Sequence, residues 1–224
     1  MSLFDYADSA VEIDPVVAES HRSVWDQLRR TGTWWTGEQM LAIAGRARTV
    51  FAQRATAPWL VELSTTDDVL SRSTLTAIDT IARTPSAANR EWALRRVKEL
   101  GAGPYVELVG VVATIVMVDM FAVAAGVAAT PLPQADPGGT APSRETPEGL
   151  ADIGAHVPML EPFDYANVAR ALSMVPSSNR LFRTTSVPMY SAPGMSDLVW
   201  STPLERPQVE LIAARVAALN ECFY

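Results

Sequence analysis

Cysteine, lysine and histidine are nearly missing from this chain of 224 residues: Cys222, Lys98, His21 and His156 are all it holds of the three. One sulfur closes no intramolecular disulfide. Two histidines and a cysteine also fall short of the Cys and His clusters that zinc ribbons and fingers require, so no metal is expected. Seventeen arginines and the lone lysine stand against 25 Asp and Glu, and the net charge of -7 gives a phosphate backbone no attracting field. Nucleic acid is therefore not an expected partner. No Asn-x-Ser/Thr acceptor occurs, and the opening Met1-Ser-Leu-Phe-Asp-Tyr lacks a cationic stretch followed by an apolar one. The expectation from these features is a cytoplasmic protein in a reducing compartment.

Alternating apolar and polar runs of strand type are scarce as well, whereas helix punctuation recurs, which makes the expected class all-α. Asp14-Pro15 reads as a cap followed by proline at the first helical position, opening a helix that runs to about Arg30. Thr36 with Gln39 three residues on reads as a capping box, ahead of the stripe Met40, Ile43, Ala44, Ala47, Val50, Phe51. Further helices are predicted over 67–83, over 86–100 with Ser86 as cap and Gly101 as stop, and over 104–126 opening at Pro104. Residues 130–149 hold five prolines and three glycines and read as a linker or surface crossing. Short helices over 164–174 and 177–187 and an amphipathic one over 207–219, carrying Val209, Ile212, Val216 and Leu219, complete the set.

Residues 108–130 are apolar except for Asp119, about the length that spans a bilayer. A charge near the middle is costly in lipid, so a central buried helix and no membrane is the expectation. Glu107 and Asp119 are read as structural, Glu107 near its helix start and Asp119 paired with an arginine such as Arg83 or Arg95. His21 is read as lying on a polar helix face and His156 in a loop, both incidental, and Arg95, Arg96 and Lys98 as a solvated face. Gly101-Ala-Gly103 lacks the strand and third glycine of a dinucleotide loop, so it is read as a helix stop. Trp34-Trp35 is read as packing or an oligomer contact.

Laying 33–46 over 202–215, an offset of 169, aligns threonine at 33/202, glutamine at 39/208, isoleucine at 43/212, alanine at 44/213 and arginine at 46/215. This is the mark expected of an internal duplication. In that register Leu41 stands opposite Glu210, and Gln53 opposite Cys222.

The stretch 204–224, with Glu210 twelve residues before Cys222, resembles the alkylhydroperoxidase and carboxymuconolactone decarboxylase family. Its peroxidase branch carries Glu, eleven residues, Cys, two residues, Cys, three residues, His. Residues 105–113 with Gly126-Val127 are similar to the long central helix of the family's two-repeat members, and 171–176 is similar to a segment there. The resemblance implies an all-α bundle of two such repeats. The first would occupy 1–129 without the Glu/Cys motif, 130–149 would link them, and 150–224 would begin the second with half the motif.

On one straight helix twelve residues turn 1200°, leaving Glu210 and Cys222 about 120° apart in azimuth and roughly 18 Å apart along the axis. Cooperation would need a break, and Asn220 could end one helix and cap another that places the Cys222 thiol at a positive dipole end. By resemblance, Cys222 is the resolving thiol, the peroxidatic sulfur or selenium would follow three residues later, and Glu210 with a later histidine forms a proton relay. The implied function is thiol- or selenol-dependent reduction of a small hydroperoxide by a dithiol reductant protein, in a homo-oligomer without other cofactor. For the 224 residues alone the expectation is negligible turnover. A trimmed chain, a damaged frame or an in-frame UGA for selenocysteine would each end the sequence at Tyr224, the last being the favoured expectation. The alternatives are a carboxymuconolactone decarboxylase-like enzyme, a branch that does not need Cys222, and a noncatalytic helical scaffold.

Overall fold

Short polar side chains set where the helices begin, by accepting the N–H groups that a first turn leaves free. The computed structural model describes residues 3–162, 167–190 and 204–219, and these are predominantly α-helical, with eight α-helices and one two-stranded hairpin. Asp14 accepts from the Val16 N–H at 2.8 Å and opens α1 (Pro15–Leu28). Thr36 and Gln39 exchange both bonds of a capping box at the head of α2 (Gly37–Ala52). Ser71 caps α3 (Arg72–Arg83) and Asn89 caps α4 (Arg90–Leu100). Gly101 separates α4 from α5 (Ala102–Ala125), and Gly126 ends α5 at φ 72°, a left-handed conformation that glycine adopts without a Cβ penalty.

Two of these starts lie later than the sequence suggests, for local reasons. The Asp67 carboxylate accepts from Val69 and Leu70, both at 2.8 Å, which holds a turn where a helix was expected and leaves the capping to Ser71. Pro85–Ala87 forms a 3-10 turn, so Asn89 and not Ser86 caps α4. Farther on, α6 is a single turn (Asn167–Arg170), α7 spans Pro176–Tyr190 and α8 spans Arg206–Leu219.

The core lies around α5, which packs against α2, α3, α4 and α7. Leu108, Val111, Val112 and Ile115 of α5 meet Ile43, Ala44, Ala47 and Val50 of α2 and Leu75 and Ile78 of α3. Among the described residues α5 alone is long and apolar enough to cross a bilayer, and over half of its most apolar stretch is buried inside the protein.

Residues 130–149 form the expected surface crossing, and they are tied down. The Trp25 indole N–H donates to the Pro131 carbonyl at 2.9 Å, Asp136 pairs with Arg29, and the Arg144 N–H donates to the Thr33 carbonyl at 2.8 Å. The crossing delivers the chain to an antiparallel hairpin, β1 (Leu150–Ala151) with β2 (Met159–Leu160), in which Leu150 faces Leu160.

The apolar face expected on α8 exists, but it is not in the core. No α8 residue is buried, and Leu211, Ile212 and Leu219 are 72%, 53% and 66% exposed. The contrast is with α2, whose matching face is covered by α3 and α5; among the described residues no pair of helices covers α8 in that way.

Candidate functional site

Glu210 sits in the second turn of α8, where the end of α7 comes alongside. Its Oε2 accepts from the Tyr190 hydroxyl at 3.2 Å, and its Oε1 lies 3.5 Å from Arg206 Nε, one helical turn earlier. The carboxylate remains 46% exposed, open to a ligand or to a neighbouring segment. The Tyr190 phenol is pushed above its ordinary value, first by burial and then by the Glu210 carboxylate beside it. Tyr190 thus presents a held proton to Glu210 across the physiological range. Cys222, and the break expected at Asn220, lie outside the described residues.

The two ends of the proposed duplication can be compared directly. α2 begins at Gly37 and α8 at Arg206, the offset of 169 already read from the sequence. Gln39 reaches back to the Thr36 N–H at 3.1 Å, and Gln208 reaches back to the Glu205 N–H at 2.8 Å. The same side chain therefore closes the same first turn in both helices.

The acids of α5 serve separate structural tasks. Glu107 is buried, and its carboxylate accepts the backbone N–H groups of Thr33 at 2.7 Å, Trp34 at 2.6 Å and Trp35 at 3.0 Å. It thus organises the turn that leads into α2 and not the start of its own helix, which corrects the expectation for this residue. Burial raises its carboxyl above the ordinary range, and the three donors oppose that rise. Gly32 makes the approach feasible, because a Cβ there would stand 2.5 Å from Glu107 Oε1. Beside this turn the Trp35 indole N–H donates to the Pro104 carbonyl at 3.0 Å, and Trp34, partly buried, packs against the cluster of Ala93, Tyr105, Val106 and Val175.

Asp119 pairs with Arg48, and neither Arg83 nor Arg95 reaches it. Arg48 Nε and Nη2 donate to its two oxygens at 2.8 and 2.7 Å, while Nη1 donates to the Thr130 carbonyl at 2.8 Å. The crossing of α2 over α5 brings position 48 level with 119. Arg83 instead donates to the Thr56 carbonyl, and Arg95 pairs with Glu91 on its own helix. Arg96 also departs from the solvated face expected of it, lying against the Trp92 ring with its side chain 14% exposed.

His21 needs the largest correction. It is fully buried, because the chain from Leu3 to Ser9 folds back over the polar side of α1. Arg22 donates to the carbonyls of Leu3 and Phe4, Phe4 packs edge-on against Trp25, and the rings of Phe4, Tyr6 and Phe121 surround the imidazole. The Tyr6 hydroxyl is hydrogen-bonded to Nδ1 at 2.5 Å, and Nε2 faces Met189 Sδ at 3.3 Å. The aromatic pair Phe4 and Tyr6 ahead of Asp14 was the available signal. Met189 precedes Tyr190, so this cluster anchors the end of α7 that meets Glu210.

Burial lowers the His21 pKa from 6.5 to about 4 and, with the Asp119 charge a lesser cause, raises that of Tyr6 to about 12. Between these two histidine values the unfolded chain binds the proton and the folded one does not, so stability falls as pH drops from 6.5 to 4 and then levels. The expected loss is about 3 kcal/mol. Urea titrations between pH 4 and 7 should show it, and His21→Leu should remove that part of the slope. An equal slope in both chains would contradict the assignment. His156, exposed in its loop, is lowered too, by partial burial first and then by Arg90, which donates to the Gly154 carbonyl.

Among the described residues no three His, Cys, Asp or Glu side chains converge as a metal site would require. Comparison with protein families, with characterised proteins and with solved structures returned no match for this chain.

Proposed function

We propose that the chain carries the acid and thiol of a hydroperoxide reductase that works through thiol or selenol chemistry. The observation that carries this reading is Glu210, an accessible carboxylate steadied by Tyr190 and Arg206, twelve residues before the only cysteine. The all-α architecture and the shared first turns of α2 and α8 are in keeping with a two-repeat member of the alkylhydroperoxidase and carboxymuconolactone decarboxylase family.

In the reaction a thiolate or selenolate attacks the distal peroxide oxygen, the O–O bond breaks and ROH leaves with a proton, giving a sulfenic or selenenic acid. A neighbouring thiol then displaces water to form a disulfide or selenosulfide, and a dithiol donor returns the two electrons. Glu210 is the proton carrier, and Cys222 the second thiol. The 224 residues hold a single sulfur nucleophile, so hydroperoxide consumption by them with a dithiol is expected to be negligible.

The test is the pH profile of Cys222 alkylation by iodoacetamide in a full-length form that carries the second nucleophile, where the helix opening at Asn220 lowers the thiol. The expected midpoint lies well below about 8.5, the value of an unperturbed thiol, and moves lower still in Glu210→Gln, because a nearby carboxylate opposes thiolate formation. A midpoint near 8.5 that ignores Glu210→Gln would refute the reading and leave a noncatalytic helical scaffold.

A further inference from the structure

The first half of α7 borders a cleft of about 390 Å³ that none of the preceding chemistry uses. Arg180, Arg183 and Thr184 line one side, while Leu160 and Pro176 supply apolar surface. Two more lining groups are already committed to holding the walls. The Asn179 amide donates to the carbonyls of Ala169 and Ala171, and the Ser173 hydroxyl accepts from the Leu160 N–H at 3.0 Å. The carboxylate nearest in sequence, Glu161, is paired with Arg170. No acid lines the cleft.

Neither Arg180 nor Arg183 has a carboxylate partner among the described residues. Arg46, Arg48 and Arg170, by contrast, each hold one. Three residues apart on α7, the two side chains are roughly 60° apart in azimuth and 4.5 Å apart in height, close enough for their guanidinium groups to converge on one anion. Guanidinium groups bind carboxylate or phosphate oxygens in pairs. The volume and the apolar wall of Leu160 and Pro176 call for an organic body as well as a charged head.

We infer that this cleft binds the carboxylate of an amphipathic organic acid, with Arg180 and Arg183 holding the head group.

Decanoate, which has no peroxide to reduce, tests the cleft apart from the chemistry. Calorimetric titration should show binding to the 224-residue chain that weakens about tenfold or more in Arg183→Gln and is lost in the Arg180→Gln/Arg183→Gln pair. Both arginines are exposed, so circular dichroism and the urea midpoint should stay unchanged in these variants. Decanol, lacking the charge, should not bind, and millimolar inorganic phosphate should not compete. Absence of decanoate binding, or equal binding by the double variant, would overturn the site; competition by phosphate or binding of decanol would overturn the organic-acid assignment. Decanoate binding with an unperturbed Cys222 alkylation profile would keep the cleft and discard the peroxidase reading alone.

Discussion

Glu107→Gln is expected to cost about 3 kcal/mol of folding stability although it exchanges one oxygen for an amino group and changes almost no volume. In the native turn Oε1 accepts from Thr33, while Oε2 accepts from both Trp34 and Trp35. A glutamine offers one acceptor and one amino group. If its oxygen takes the Oε2 position, the Thr33 N–H faces another donor; in the flipped orientation, Trp34 and Trp35 do. Either way at least one interior donor is unsatisfied, at about 1–3 kcal/mol, and the remaining bonds lose their charge assistance. Glu107→Ala should cost more, since all three donors are left and a cavity opens beside Gly32. Urea denaturation measures both: the midpoint should fall with the slope unchanged. A Glu107→Gln midpoint equal to that of the parent would show that the carboxylate does not organise the entry to α2.

Asp119→Ala is expected to lose about 3–5 kcal/mol, the usual consequence of leaving one member of a buried ion pair unpaired. The Asp119 side chain is 6% exposed and that of Arg48 22%, so the stranded guanidinium gains little water. It would retain the Thr130 carbonyl and its place near the Trp25 ring, 5.7 Å from the centroid. The partner change separates pairing from packing. An Arg48→Met/Asp119→Leu chain removes both charges while keeping bulk, and it should recover most of the loss. If Asp119→Leu and Arg48→Met were additive in the double-mutant cycle, the pair would carry no coupling and the expectation would fail.

Features set by nearest neighbours were readable from the residues alone. Asp14-Pro15, Thr36 with Gln39, and Gly126 mark helix ends because a cap concerns atoms three or four residues apart, and all three stand where expected. The all-α class follows from the same local signals. Partners set by how helices cross were not readable: Arg48 and Asp119 are 71 positions apart, and nothing nearby distinguishes Arg48 from Arg83 or Arg95. His21 shows the same limit. Its own helix places it on a polar side, and only the returning segment with Phe4 and Tyr6 turns that side into interior. For the candidate site, the spacing of Glu210 and Cys222 was legible, whereas Tyr190 as the partner of Glu210 depends on where α7 ends. The two arginines of the α7 cleft carried no sequence signal, because an Arg-x-x-Arg pair reads as ordinary solvated surface until the surrounding walls are seen.

The central position of α5 sets how freely the rest of the chain can drift over evolutionary time. Four helices rest on it, so a change of side-chain size along its inner sides disturbs several neighbours at once. By contrast α8 has no residue enclosed by others. Novelty in this lineage is therefore cheapest to acquire on α8 and along the outer stripe of α7, the two places where proton chemistry and ligand binding are proposed.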